Sequence, residues 1–125
     1  MPLLDAFFVA TSNPAGGSQA TATHAAVAGK VHVCQSIHCT LADGTGTAAA
    51  SSNSIVLRDG ASGSGTILWS SGLSVPATVG QAAAPVEISG LAIQGTPGNS
   101  MTLEFTAAGA SANVFETVAM SGFLA

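Results

Sequence analysis

No window of this chain carries apolar residues at helical spacing. From about Ala25 onward it runs instead in short alternations of apolar and polar side chains, each ended by Gly, Pro, Asn or Asp. A period of two belongs to a strand with one buried face. Val31, Val33, Ile37, Cys39 and Leu41 take one set of positions, and His32, Cys34, Ser36, His38 and Thr40 the other. Further strands are expected at 54–58, 66–69, 73–75, 86–88, 91–93, 101–105 and about 114–123. Asp43-Gly44, Asp59-Gly60, Pro76 and Gly95-Thr96-Pro97-Gly98-Asn99 supply the punctuation. Ser89-Gly90 is expected to break or bulge its strand. Seven to eight short strands separated by turns predict an all-β fold, an antiparallel β-sandwich of jelly-roll-like form.

Charge narrows the reading further. The 125 residues include only two cations, Lys30 and Arg58, and six carboxylates, Asp5, Asp43, Asp59, Glu87, Glu104 and Glu116. A solvated domain ordinarily gives about 25% of its residues to charge. Here the exterior must consist largely of small neutral groups, which are cheap to desolvate and suited to burial against neighbours. Two cations cannot neutralise a run of phosphates, so no nucleic-acid partner is expected, and attraction to anionic lipid fails for the same reason. No stretch has the roughly 18 consecutive apolar residues of a membrane-spanning helix. Strand edges need blunting by charge, Pro or coverage. With so few charges, coverage by partner subunits is expected.

The first 23 residues differ from the rest. Leu3, Leu4, Phe7, Phe8 and Val9 make a short apolar patch, followed by the loop formers Thr11-Ser12-Asn13-Pro14-Ala15-Gly16-Gly17-Ser18. The patch lacks a basic leader and Asp5 interrupts it, so it is read as retained and not as a signal peptide. Without an export signal, Cys34 and Cys39 are expected as thiols. Residues 1–23 are read as an extended N-terminal arm whose five apolar side chains dock on a neighbouring subunit, and 24–125 as the sandwich domain. The competing possibility is that the patch forms the first strand.

Candidate chemistry is sparse. His32, Cys34 and His38 share one strand face by parity, with His24 upstream, but i and i+2 side chains sit nearly 7 Å apart along a strand, wide for one ion. No metal site or cofactor is expected. No nucleophile elbow surrounds any Ser or Cys. Glu87, Glu104 and Glu116 lie in alternating strands and are expected to face solvent or a subunit contact. The run Gly60-Ala61-Ser62-Gly63-Ser64-Gly65 has no following Lys and precedes a strand, so it is not a phosphate loop. Asp43-Gly44 and Asp59-Gly60 offer too few oxygens for calcium. Trp69, the sole Trp, is expected to anchor the core. No catalytic residue is expected, and the chain is not read as an enzyme.

The segments Val75-Pro76 through Gly80, Pro85 through Ile93, Gly95 through Asn99 and Met101-Thr102-Leu103-Glu104-Phe105 resemble small β-sandwich virion proteins of tailed bacteriophages. Gly29-Lys30-Val31-His32-Val33 is similar to their first core strand. The resemblance covers residues 29–125 and implies a capsid decoration, or cement, protein, with no catalytic residues to carry over. Such a protein is made in the host cytoplasm and sits on the capsid surface of the virion, as a homotrimer bound to the major capsid protein. The alternative is a tail- or fibre-associated module recognising a host surface glycan, which would place Trp69 in an exposed groove. A metal-binding domain built on His32, Cys34 and His38 comes third.

Overall fold

The computed structural model describes residues 7–125, which form nine strands and no helix. These are β1 (Phe7–Ser12), β2 (Thr21–His24), β3 (His32–Asp43), β4 (Ser51–Asp59), β5 (Thr66–Val75), β6 (Val86–Ile88), β7 (Ile93–Gln94), β8 (Met101–Phe105) and β9 (Val114–Leu124). They make two antiparallel sheets packed face to face and not closed into a barrel. One runs β1-β9-β3-β6, with β7 also paired to β3, and the other runs β2-β8-β4-β5.

The core lies between the sheets and follows the expected alternation over most of the chain. Met101, Leu103 and Phe105 on β8, and Ile55 and Leu57 on β4, face Ile37, Leu41, Val118 and Met120 from the other sheet, all essentially without solvent contact. Fully burying such a side chain contributes about 1.5–3 kcal/mol. Gly122 on β9 meets β3 so closely that an added Cβ would lie 1.9 Å from the Val33 carbonyl oxygen, which fixes glycine there.

Three sequence expectations change. First, residues 7–23 of the expected 1–23 arm belong to the sandwich, because β1 pairs with β9 and β2 with β8 inside the same chain; residues 1–6 lie outside the described residues. Phe8 and Ala10 need a core face, and β9 supplies the backbone partners. Second, Thr66 to Val75 is one continuous strand, since Ser70, Ser71 and Gly72 all keep their pairing with β4. The two additions at the N-terminus and this merger give nine strands in place of seven to eight. Gly90, at φ +73°, does interrupt its strand, separating β6 from β7.

Third, a bulge between Cys34 and Ser36 breaks the parity of β3. Gln35 is exposed, and the residues before it are rotated to the opposite face from the one parity predicts. His32 and Cys34 therefore turn inward together with Ile37, Cys39 and Leu41; His38 turns outward, and Val33, though buried, shares the outer row of Phe7 and Phe123.

Candidate functional site

The register of β1, β9 and β3 builds the site row by row. Phe7, Val9 and Thr11 are exposed between the inward-facing Phe8 and Ala10. Phe7 stands beside Phe123, which stands beside Val33, and Val9 stands beside Ser121, which stands beside Ser36. Thr11, Ala119 and His38 follow, then Thr117 and Thr40, then Phe115 and Ala42. Apart from His38, the outer face of β1, β9 and β3 is thus Phe, Val, Ala, Ser and Thr. Phe7 is 63% exposed and Val9 67% exposed. The Phe115 ring lies over Gly44, where an added Cβ would come within 2.7 Å of the ring.

Among the described residues ionisable groups enter this face only at its β6 margin, where His38 Nδ1 lies 3.0 Å from Glu87 Oε1 with both side chains well exposed. Such a pair contributes roughly 0–1 kcal/mol. Beside it, Ser36, Ile37, His38, Glu87, Ile88 and Ser89 line an open recess of about 240 Å³. Ser36 and Ser121 share a hydroxyl hydrogen bond of 2.5 Å across β3 and β9.

Of the five expected contact residues, Phe7 and Val9 lie on this face. Phe8 does not, being buried between His24 and His32 with ring centroids about 5 Å from each. Leu3 and Leu4 lie outside the described residues.

The candidate metal ligands are dispersed by the bulge. His32 is buried, with His24 Nδ1 2.8 Å from its Nε2, a hydrogen bond that joins the two sheets. Burial, and then the neighbouring His24, hold the His32 imidazole below its ordinary pKa. Cys34 and Cys39 are both in the core, and burial pushes their thiols up to about 11 and about 12. His38 faces outward. Among the described residues no three His, Cys, Asp or Glu side chains are grouped to hold a metal ion.

Two of the three strand glutamates are buried, against expectation. Glu104 accepts hydrogen bonds from Arg58 Nε (2.6 Å), the Gly63 N–H (2.9 Å) and the Ser62 hydroxyl. Burial would raise its carboxyl, but these donors and the Arg58 charge together hold it below the usual range. Gly60–Gly65 is therefore a loop folded over a carboxylate on the outer face of the second sheet. Glu116 is fully buried between the sheets, accepting from the Ala20 N–H (3.0 Å) and Asn53 Nδ2 (2.6 Å). Burial pushes its carboxyl up against those two donors.

Asp59 caps the opposite turn, accepting from the Thr96 N–H, the Thr96 hydroxyl and Asn99 Nδ2. Trp69 packs half-buried against the core from β5 and takes no part in the recess.

The fold and this face define a two-sheet β-sandwich with a broad neutral surface. No family model matches the chain, and no curated protein matches it. Among solved structures it is similar to a chain of the cyanophage Pam1 capsid asymmetric unit, with 20% identity and a TM-score of 0.51 over 95% of this chain and 85% of that one. It is also similar to a CBM4 structure, at 11% identity and a TM-score of 0.38 over 92% of this chain and 70% of that one. The likeness to the capsid chain is one of fold. Among the described residues no helix is long and apolar enough to cross a membrane.

Proposed function

We propose that this chain is a structural virion protein that decorates and stabilises a tailed-phage capsid, binding the major capsid protein and its own copies on the capsid surface. The observation that carries the reading is the outer face of β1, β9 and β3, where Phe7, Val9, Phe115 and Phe123 stand among small neutral side chains with His38 and Glu87 at one margin. A face of that composition loses little on desolvation, whereas a charged one would lose several kcal/mol per unpaired ion. Fold likeness to a chain of a phage capsid asymmetric unit supports the same reading. Association as a homotrimer is the form implied by the resemblance to decoration proteins. The chain acts by covering surface and carries out no catalysis.

The test adds purified protein to shells assembled from the major capsid protein and measures occupancy and the temperature of shell disruption. Saturable binding that raises that temperature, and that Val9→Lys with Phe115→Lys abolishes, is expected. Leu3→Ser with Leu4→Ser should reduce occupancy if the leading segment adds contacts. Absence of binding, or a glycan-array signal that Trp69→Ala removes, overturns the proposal.

A further inference from the structure

Edge strands carry unpaired backbone donors and acceptors, and proteins blunt them with shortness, charge, Pro or cover. Three margins of this sandwich follow that rule. β2 has 4 residues, and β6 and β7 have 3 and 2. β1, of 6 residues, is partly covered instead, the Thr21 N–H at the head of β2 donating to its Ser12 hydroxyl.

The fourth margin breaks it. β5 runs for 10 residues, Thr66-Ile-Leu-Trp-Ser-Ser-Gly-Leu-Ser-Val75, with no ionic side chain and no Pro before Pro76. It ends the sheet beyond β4. Among the described residues nothing but β4 hydrogen-bonds its backbone. Its apolar side is also unfinished. Leu73 and Val75 are buried, but Trp69 and Leu68 pack on the core while staying half open to solvent.

We infer that β5 is a docking edge for the β5 of a second copy, paired antiparallel across a two-fold axis so that the β2-β8-β4-β5 sheet continues from one chain into the next. The occupant follows from charge. In a two-fold pairing each residue meets its own strand again, so any ionic group would be set near its like, and β5 has none. Self-association is therefore unopposed along its whole length.

The register follows from the pleat. Directly opposed residues share a face, so the inward set Trp69, Ser71, Leu73 and Val75 must meet its own kind. Centring the axis on Ser71 sets Trp69 against the partner's Leu73 on both sides of it, closing the open end of each core. The bulge at Leu68 and the stop at Pro76 fall outside the central stretch. This contact deepens the proposed self-association and uses a surface separate from the face of β1, β9 and β3, so it can also join trimers in pairs.

The experiment measures the mass of the isolated full chain in solution across micromolar concentrations, without shells. An even number of copies is expected. Ser70→Lys with Ser74→Lys, both at exposed side chains, should weaken the contact by at least about tenfold while leaving the thermal midpoint of the single chain unchanged. Ser71→Cys should form a disulfide-linked dimer under mild oxidation. A single-chain mass, three copies with no even multiple, an even assembly indifferent to the two lysines, or no cross-link at position 71 overturns the inference. So does an edge that is protected only when shells are added, since its occupant is then a capsid strand. Shell binding is scored separately, so loss of one result leaves the other standing.

Discussion

The two outer faces of the sandwich treat charge in opposite ways. On the β2-β8-β4-β5 face, Arg58 and Glu104 sit on neighbouring strands and are sealed under the Gly60–Gly65 loop, which adds two donors of its own. Among the described residues the β1-β9-β3 face has no such lid, and its exposed side chains are aromatic, aliphatic or hydroxyl-bearing apart from His38, paired with Glu87 at the β6 margin. One face has its cation and carboxylate buried and satisfied internally, and the other has a solvent-exposed His38–Glu87 pair at its β6 margin. The lesson is that scarcity of charge does not by itself mark an interface. What matters is that Arg58 and Glu104 hold the chain's own loop, while the other surface is neutral except at its β6 margin.

The contrast is broken hardest at Arg58. Arg58→Met strands the Glu104 carboxylate, of which 1% is exposed, and should cost about 3 kcal/mol in chemical denaturation. Next comes Gly63→Ala, at φ +74° with open space around it, which strains the lid without a clash and should cost about 1 kcal/mol by the same assay.

The acid limb of stability is a finer probe. Glu104 has a depressed folded pKa, so its contribution is full above the ordinary carboxylate value of about 4.3 and is lost as pH falls through the depressed one. Glu104→Gln should therefore flatten the loss of stability in that window, each variant compared with its own value at neutral pH. Glu116 has the opposite sign, since its raised pKa gives a contribution present below the ordinary value and lost as pH rises through the raised one. Glu116→Gln should steepen the acid limb, and a flatter one would refute that sign. The smallest effect on folding is expected at the bare face. Val9→Lys should change stability by no more than about 0.5 kcal/mol while removing shell binding, and a larger loss of stability would mean that the face serves the fold.

Much of the sandwich was legible because its signals are local. Met101, Leu103 and Phe105 alternate in sequence and point into the core as their spacing predicts, and Gly90 and Pro76 stop strands where their backbone chemistry requires. What was hidden depends on partners far along the chain. Nothing near Glu104 announces Arg58, 46 residues earlier, nor does anything near Glu116 announce the Ala20 N–H, 96 residues away. The bulge at Gln35 has no Gly or Pro to signal it, so unbroken parity puts His32, Cys34 and His38 on one face where the fold divides them. Phe7 and Val9 could be singled out from composition as part of an apolar patch. That they stand in a strand, with Phe8 turned inward, follows from β9, at the far end of the sequence.

The imidazole pair at one end of the sandwich has a mechanical consequence. His24 belongs to one sheet and His32 to the other, and the Phe8 ring touches both. Tension applied along the first strand would reach the two layers together through that ring. It would also load all six rungs between β1 and β9 in shear, so that they resist as a group instead of peeling apart singly. A tether attached ahead of Phe8 is anchored to the whole body of the molecule.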